Sequence, residues 1–475
     1  MSTYDVRTLE GGTVTLAEAA VSEFADRLRG RLVLPDDGDY DQVRTVWNGL
    51  VDKHPALIAR CAGNTDVSAA VEFARAHGIL TSVRGGGHNV AGSALCEDGL
   101  VIDLSTMRGV YVDAKARLAR AQGGVTLGEL DRETTGFGLA TPVGLVSRTG
   151  IAGLTLGGGF GWLTRAHGLS CDNLRSVDVV TADGALRRAS QEENPDLFWA
   201  VRGGGGNFGV VTSFEYELHP IGPQVMMAVV IYPIEMAERG MQFFRDFMRQ
   251  APDGLMALIE LATMPGEAPF PEAHQGEPMI VFAAVYSGDV AEGERVVAPL
   301  RTFAQPLVDF SGPVSWMDAQ SFFDADYPDG RYYYWKSAFV DDISDDLLPV
   351  LVESCLRRPS ELSTVDLWYL GGAMARHEPG DSAFWTRNAE TMIGLEANWI
   401  KPDQSDANIN WTRGVVEALQ PYSTGGSYAN FGGFGVEADN PVRKIYGGNY
   451  ERLALIKRRY DPDNLFRVNH NIEPG

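Results

Sequence analysis

Three consecutive glycines followed by a histidine carry the clearest chemical signature in the sequence, in the segment Arg84-Gly85-Gly86-Gly87-His88-Asn89. Glycines lack the side chains that would keep a ligand away from the backbone, and they adopt positive φ easily, so successive N–H groups can turn toward one anion. A histidine directly after such a loop lies beside whatever the loop holds. The segment predicts an anion site next to His88, although a tight turn with an ordinary surface histidine would use the same residues.

Two further glycine-dense regions follow, one over residues 141–161 and one over 202–209. The second contains a GxGxxG spacing, but it leads into the strand-like run 210–218, whereas a Rossmann turn opens a helix. The first has no acidic residue about 20 positions further on after a clean strand. Both regions therefore predict backbone that cradles a ligand, and neither favours a nicotinamide-binding Rossmann domain.

The other reactive residue types form no recognised catalytic or metal-ligating pattern. The four cysteines are Cys61, Cys96, Cys171 and Cys355, and their spacing gives no CxxC pair, no zinc pattern and no dense disulfide frame. The sequence contains neither HExxH nor the GxSxG of a serine hydrolase, and its eight histidines form no ligand-like pairs. We therefore predict that the protein holds no metal.

The composition indicates a large acidic protein without a membrane segment. With 63 acidic and 40 basic residues, the chain of 475 residues has a formal charge of −23. A surface this acidic disfavours nucleic acid and anionic membranes as partners. No apolar run of about 18 residues is present, and the N-terminus lacks the apolar core of a signal peptide. These features predict a soluble, cytoplasmic protein that acts on a small molecule.

The periodicity of apolar residues predicts a first domain that a second one interrupts. It favours helices in residues 1–55 and a strand, helix, strand unit over 56–83 that leads into the first glycine loop. From about residue 222 to 415 the glycine clusters nearly vanish. The patterns there predict strands at 225–233, 279–286, 332–340 and 364–370, and helices at 235–250, 290–304, 344–357 and 383–401.

Glycine-rich sequence returns at residues 425–433. We therefore expect the chain to leave the first domain, build the second and come back, with boundaries at 1–220, 221–420 and 421–475. The second domain is expected to be an α/β unit on an antiparallel sheet with helices on one face. Its aromatic residues, in 332–335 and 368–369, either fill the sheet core or line an apolar pocket, and strand alternation favours a mixture.

The order of these motifs resembles the FAD-linked oxidases of the vanillyl-alcohol-oxidase fold, specifically the berberine-bridge-enzyme-like branch, over almost the whole chain. The resemblance rests on the three glycine clusters, on Gly168-Leu169-Ser170-Cys171-Asp172-Asn173, and on Tyr460-Asp461-Pro462 with Asn464-Leu465-Phe466-Arg467. It implies an α+β protein with a split PCMH-type FAD-binding domain and an inserted substrate domain.

The resemblance also implies that FAD is held by two covalent bonds. His88 would join the 8α-methyl group of the flavin ring and Cys171 its carbon six, whereas a lone cysteine is otherwise more often a buried core thiol. The cofactor-binding residues that the resemblance implies are Arg84, Gly85, Gly86, Gly87, Asn89, Val143, Gly144, Thr149, Gly150, Gly153, Gly209, Val211, Asn469 and Asn471.

The implied reaction is hydride transfer to the flavin from a hydroxyl-bearing substrate, a sugar or a glycosylated or phenolic natural product, with O2 as the electron acceptor and hydrogen peroxide as a product. Tyr428, in Tyr428-Ala429-Asn430, resembles the catalytic tyrosine of the family, although a packed sheet tyrosine would have the same sequence. A free phenol titrates near 10, so Tyr428 needs help to act as a base near neutral pH. Asp366 is the candidate partner.

Three alternatives remain open. Leu174, three residues after Cys171, is bulkier than the valine typical of plant oxidases, which leaves room for a dehydrogenase that uses another acceptor. An oxidative cyclase that acts on an amine or phenol is the second alternative, and a catalytically idle flavin-binding protein is the third. The sequence leaves the oligomeric state open.

Overall fold

The computed structural model of the protein describes residues 3–433 and 441–475. Its first part, up to residue 220, alternates short strands with helices. The strands are β1 (Thr3–Arg7), β2 (Thr13–Ala17), β3 (Arg31–Val33), β4 (Leu57–Arg60), β5 (Thr81–Arg84), β6 (Leu100–Asp103), β7 (Val110–Asp113), β8 (Leu118–Gln122), β9 (Leu139–Ala140), β10 (Leu174–Val180), β11 (Leu186–Ser190), β12 (Val210–Glu217) and β13 (His219–Pro220). The helices are α1 (Glu18–Asp26), α2 (Tyr40–Arg44), α3 (Asn64–His77), α4 (Leu127–Thr135), α5 (Ile151–Leu156), α6 (Thr164–His167) and α7 (Pro195–Val201).

Residues 3–55 are less helical than their apolar spacing predicts. Strands β1 and β2 pair antiparallel, and the chain after α2 is irregular although Trp47 and Asn48 in it are buried. Their burial comes from distant contacts, because the Asn48 amide donates to the carbonyl of Tyr333, 285 positions away. Helical periodicity cannot distinguish such burial from that of a helix face.

A small sheet in the order β3-β4-β6-β5 positions the first glycine loop. Strands β4, β6 and β5 run parallel, and α3 connects β4 to β5. This helix ends at Gly78, whose φ of +61° is a conformation that glycine adopts without strain. The chain then turns directly into β5, and the glycines follow its last residue, Arg84. A second sheet, in the order β11-β10-β12-β8-β7, lies beside the other two glycine clusters.

The middle of the chain forms one large antiparallel sheet, as the sequence predicts. Its strands are β14 (Gln224–Pro233), β15 (Leu255–Thr263), β16 (Pro278–Tyr286), β17 (Val308–Asp309), β18 (Gly312–Ser315), β19 (Tyr332–Val340), β20 (Thr364–Tyr369) and β21 (Thr391–Trp399). They lie in the order β17-β14-β16-β15-β20-β21-β19, with β18 paired to β14. The remaining helices are α8 (Ala237–Met248), α9 (Val290–Arg301), α10 (Trp316–Gln320), α11 (Leu348–Leu356), α12 (Ser405–Leu419), α13 (Pro441–Tyr446) and α14 (Tyr450–Tyr460).

The two faces of this sheet pack against different partners. On one face, Ile259 and neighbouring apolar residues form a core with Phe244 of α8 and Leu351 of α11. On the other face, Leu258 belongs to a cluster that also contains Phe160 and Tyr428. Because successive side chains of a strand point to opposite faces, one strand serves both cores. The face opposite α8 and α11 is therefore turned toward the glycine-rich part of the protein.

The predicted helix at 383–401 is wrong, since residues 391–399 form strand β21. Strand β15 was also absent from the predicted strands. Every residue of β21 is buried, and Leu255–Thr263 of β15 is buried except at Glu260 and Thr263. A strand covered on both faces has no alternation of polar and apolar residues, and therefore lacks the signal by which strands are usually identified.

The C-terminal segment packs back onto the third glycine cluster through a buried lysine. The Lys457 ammonium donates to the carbonyl oxygens of Asn207 and Phe466 and to the Asp461 carboxylate, at 2.7–2.9 Å. The side chains of Lys457 and Asp461 are both fully buried, so these hydrogen bonds have to compensate for the hydration that the two charges lose on burial. Within the ranges that the structure describes, no helix is both long and apolar enough to cross a membrane.

Candidate active site

A cavity of about 310 Å³ joins the glycine clusters to the face of the large sheet opposite α8 and α11. This volume lies in the range of small-molecule sites. Gly86, Gly150 and Gly206, one from each glycine cluster, line one end of the cavity. At the other end lie side chains of β15, β19, β20 and β21. One cavity therefore contains both the backbone that could hold a cofactor and the surface that could hold a substrate.

The first two glycine clusters cross with their backbones in contact. A Cβ atom on Gly86 would lie 2.5 Å from backbone atoms of Gly150, and one on Gly150 would lie 2.4 Å from the Gly86 nitrogen. Gly87 has a φ of +70°, a conformation that other residues adopt with strain. The close crossing of the two backbones therefore requires glycine at these positions. The first glycine cluster is thus more than a simple surface turn.

Other glycines of the same clusters face open space. A Cβ on Gly153 or Gly206 would meet nothing within 4 Å, and both glycines line the cavity. In the described part of the chain, the residues lining this cavity include no lysine and no arginine. An anionic ligand would therefore be held by backbone N–H groups, as expected for a dinucleotide pyrophosphate. The arrangement fits FAD.

His88 lies at the border between the two ends of the cavity. Its ring stacks on Trp47 with 3.9 Å between centroids, and Trp47 also stacks on Tyr333 of β19 at 3.7 Å. The Nε2 atom is buried without a hydrogen-bond partner. Burial lowers the pKa of His88 to about 3, so the imidazole is neutral at physiological pH. A neutral, unpartnered ring nitrogen in the cavity fits covalent attachment of a flavin.

Cys171 lies behind the wall of the same cavity. All four cysteines lie in the described part of the chain, and none of them lines the cavity directly. Cys171 is fully buried in the apolar cluster that also contains the lining residues Phe160 and Tyr428, and burial raises the pKa of its thiol. The neighbouring Asp172 instead forms a buried bidentate pair with Arg387, at 2.7 and 2.8 Å. This part of the motif therefore holds the fold together beside the cavity.

Most of the other predicted cofactor residues line the cavity, namely Gly85, Gly86, Gly87, Asn89, Gly144, Thr149, Gly150, Gly153, Gly209, Val211 and Asn469. Three do not: Arg84, Val143 and Asn471. The Arg84 guanidinium donates to the carbonyl of Val43, which turns it away from the cavity. Val143 is buried in the core of the first part of the chain.

Tyr428 is 2% exposed and lines the cavity, where its ring stacks on Phe160 at 4.4 Å. Its hydroxyl oxygen accepts hydrogen bonds from the Gly159 N–H at 3.2 Å and from the Asn430 amide at 2.8 Å. Burial raises the pKa of the phenol, while these two donors favour the phenolate and oppose that effect. Asn430 is therefore the partner of Tyr428 that sequence reasoning missed.

Asp366 lies in the cavity, but its carboxyl group pairs with Glu396 and not with the Tyr428 hydroxyl. Glu260 lies directly opposite Asp366 in the pairing of β15 with β20. Burial raises the pKa of Glu260 and of Asp366 well above their ordinary values, and that of Glu396 to about 7. We refer to Glu260, Asp366 and Glu396 as the carboxyl cluster. The phenol of Tyr327 donates to Glu396 at 2.7 Å.

Sequence reasoning named only Asp366 of this cluster. A signal for the other two was present, because Glu260 stands between Ile259 and Leu261, and Glu396 lies in the apolar run 391–399. A lone carboxylate in such a run is rarely buried without a reason. Across the described residues, no group of three or more His, Cys, Asp or Glu side chains is arranged to hold a metal ion.

Aromatic side chains complete the substrate end of the cavity: Phe160, Phe323, Tyr327, Trp335 and Trp368. Tyr332, Tyr334 and Tyr369 do not line it. The aromatic residues of the second domain therefore divide between pocket wall and core, as strand alternation predicts. The indole N–H of Trp368 is buried without a hydrogen-bond partner.

Comparison with known proteins adds an independent finding. The chain matches the sequence profile of a family described as "FAD binding domain" over residues 55–190 and that of "Berberine and berberine like" over residues 427–473. An FAD-linked oxidoreductase from Dictyostelium discoideum is 31% identical over 464 residues, which is 96% of this chain and 98% of that protein.

Two further relatives carry more specific names. Glucooligosaccharide oxidase from Sarocladium strictum is 27% identical over 471 residues, which is 92% of this chain and 91% of that protein. The crystal structure of 6-hydroxy-D-nicotine oxidase from Arthrobacter nicotinovorans superposes with a TM-score of 0.84 at 28% identity. That superposition covers 94% of this chain and 98% of the crystallised one.

Proposed function

The chain belongs to the berberine-like family of FAD-linked oxidoreductases, and from this premise we propose that it oxidises a hydroxyl-bearing carbon of a small organic substrate and passes the electrons to O2. The observation that carries this proposal is the single cavity in which His88 and the glycine backbone face Tyr428 and the carboxyl cluster. Glucooligosaccharide oxidase, by its name an oxidase of hydroxyl-rich molecules, supports the choice of substrate bond and of acceptor.

The glycine backbone would hold the FAD pyrophosphate, and His88 would hold the flavin ring. FAD supplies the acceptor of the substrate's hydride when it is bound. We propose that the flavin is attached through His88 and, as the family motif implies, also through Cys171, whose thiol is buried in the same apolar cluster as the cavity residues Phe160 and Tyr428. The neutral ring nitrogen of His88 is the group free to bond.

Tyr428 would take the proton of the substrate hydroxyl. The Gly159 N–H and the Asn430 amide both point at its oxygen, so they stabilise the negative charge that develops when the phenol gives up its proton. The stacked Phe160 fixes the ring, and thereby the direction of the O–H bond. A positioned base of this kind contributes about 100- to 10,000-fold to the rate.

The experiment is anaerobic mixing of the purified holoenzyme with a panel of sugars, aliphatic alcohols, amino alcohols and phenols. Loss of the visible flavin absorbance identifies a substrate. Admission of air should then restore the absorbance with one hydrogen peroxide formed per substrate oxidised. Bleaching that air does not reverse, but an artificial electron acceptor does, would replace the oxidase with a dehydrogenase. No bleaching by any hydroxyl compound would contradict the proposed substrate bond.

A further inference from the structure

We propose that the carboxyl cluster is a cation subsite, and that the preferred substrate is an amino alcohol whose protonated amine lies against Glu260, Asp366 and Glu396. This inference rests on the proposed function, since it names the class of alcohol that the cavity takes. It concerns residues at the substrate end of the cavity and is independent of how the cofactor is attached.

The three carboxyl groups lie side by side because of strand order. β15, β20 and β21 are consecutive neighbours in the sheet, and Glu260, Asp366 and Glu396 project from the face that lines the cavity. Directly opposite residues in an antiparallel pair have Cβ atoms about 5 Å apart. Glu260 and Asp366 are such a pair, so one small cationic group can reach both.

In the described part of the chain, no lysine or arginine forms a salt bridge with the carboxyl cluster. Among residues 3–433 and 441–475, the structure contains no salt bridge to any of the three carboxyl groups, and no lysine or arginine lines the cavity. Arg358 is the cation whose field reaches Glu260. Its guanidinium, however, donates to the Cys355 carbonyl and to Thr263. Buried carboxyl groups without a counter-ion favour the protonated form, and a cationic ligand would supply the counter-ion that the described residues do not.

A second observation points to a ligand independently of the acids. Trp368 is 8% exposed, lines the cavity and has an indole N–H without any partner. Asp366 Oδ1, two residues away on the same face of β20, is also buried and unpartnered. Residues i and i+2 of a strand are about 6.6 Å apart. A ligand that satisfies both groups would carry a hydrogen-bond donor and a hydrogen-bond acceptor a few bonds apart.

An amino alcohol meets both requirements. Its ammonium group donates to Asp366 and Glu260, and an oxygen atom accepts from Trp368. The aromatic walls, Trp335 and Phe160 among them, provide ring faces that attract a cation. A neutral sugar can form hydrogen bonds with the same carboxyl groups, but it offers no charge that would pair with a carboxylate, so the acids stay protonated.

The protonation equilibrium of the carboxyl cluster makes the subsite selective for cationic ligands. Burial and mutual repulsion favour the neutral acids when no cation is present. Tyr327 adds a hydrogen bond to Glu396, and Asp326 adds a further negative charge near Glu260. A bound ammonium ion favours the charged form, so its binding releases protons. A neutral isostere has no such effect on the acids.

The test compares two pairs of compounds on the holoenzyme. Hydroxypiperidine and hydroxytetrahydropyran differ by a cationic nitrogen in place of an oxygen, and piperidine and tetrahydropyran repeat the comparison without the alcohol. Binding is read from the perturbation of the visible flavin spectrum and from calorimetry in two buffers that differ in ionisation enthalpy. We expect the cationic member of each pair to bind about tenfold or more tightly, with release of protons.

The variants are Glu260→Gln and Glu396→Gln, with Glu353→Gln on the exposed side of α11 as the matched control. Either cavity variant should reduce the preference for the cationic member about tenfold or more, and the control should not change it. The variants must retain bound flavin and a cooperative melting transition. Equal binding of cationic and neutral members, or a preference that survives both cavity variants, would overturn the subsite.

The two proposals fail separately. If piperidine perturbs the flavin and Glu260→Gln removes the effect, but no alcohol is oxidised, the subsite stands and the proposed oxidation is wrong. If alcohols are oxidised without any preference for cationic ones, the oxidation stands and the subsite is wrong.

Discussion

The ring of His88 lies parallel to that of Trp47, with centroids 3.9 Å apart and an angle of 16° between the planes. Trp47 in turn stacks on Tyr333 of the large sheet and donates its indole N–H to the carbonyl of Tyr327. The residue that we expect to hold the flavin is therefore oriented by the substrate sheet. The stacked rings of His88, Trp47 and Tyr333 thus link the two ends of the cavity.

Loss of this stack should impair covalent attachment of FAD to His88. In Trp47→Leu the imidazole loses the face that orients it, whereas Trp47→Phe keeps a stacking partner of similar shape. We expect the fraction of protein with flavin bonded to His88 to fall several-fold in the leucine variant and to stay near the parent value in the phenylalanine variant. The masses of the flavin-bearing peptides after acid denaturation and proteolysis measure it. Equal attachment in both variants would show that the stack has no such role.

Removal of the Tyr428 hydroxyl should slow the chemical step and leave binding almost unchanged. Phenylalanine at this position retains the stack on Phe160 but cannot accept a proton. We expect kcat to fall about 100- to 10,000-fold, with KM within a few-fold of the parent and full flavin content. Anaerobic reduction rates measured by stopped flow separate this effect from the reaction with O2. A variant with an unchanged reduction rate would exclude Tyr428 as the base.

Asn430 should set the pH at which Tyr428 acts. Its amide donates to the phenol oxygen at 2.8 Å and so lowers the pKa that burial raises. In Asn430→Ala one of the two donors is lost, so the pKa of Tyr428 rises. A base works when deprotonated, and the ascending limb of the plot of kcat/KM against pH therefore moves to higher pH. In Tyr428→Phe this limb should vanish. An unshifted limb in Asn430→Ala would contradict the assignment.

Glu396 should make the protein less stable as the pH rises. Its pKa is raised from the ordinary value of 4.5 to about 7, chiefly by burial. A carboxyl group with a raised pKa in the folded state contributes its full stabilisation below pH 4.5, and this contribution is lost as the pH rises through about 7. In Glu396→Gln the decline of Tm across this window should be smaller than in the parent.

The control for this prediction is again Glu353→Gln, an exposed site where the same change removes a charge outside the cavity. Its Tm should follow the parent curve. If Glu396→Gln declines as steeply as the parent between pH 4.5 and about 7, Glu396 is not the group that titrates there.

Family, fold class and enzyme class were predictable because they depend on local motifs in a fixed order. The glycine clusters at 85–87, 150–161 and 203–209 line one cavity or support it, and Tyr428 lies beside them. The glycine motifs require backbone conformations that glycine adopts most easily, so their positions can be recognised in the sequence as clusters of glycine. The strands at 332–340 and 364–369 were found for a similar reason, since they are rich in aromatic and β-branched residues.

The carboxyl cluster was not predictable because two of its three strands were missed. β15 and β21 carry Glu260 and Glu396, and both strands are buried on both faces. Leucine, alanine and methionine in these segments favour helix as much as strand.

The measurement that tests the account most directly is the mass of the flavin-bearing peptides after acid denaturation and proteolysis of the holoenzyme. We expect one cross-linked species in which the flavin joins the peptides of His88 and Cys171. In His88→Ala and in Cys171→Ser the flavin should stay attached through the remaining residue alone. Flavin released from the parent protein on denaturation, or an unmodified Cys171 peptide, would contradict the proposed attachment.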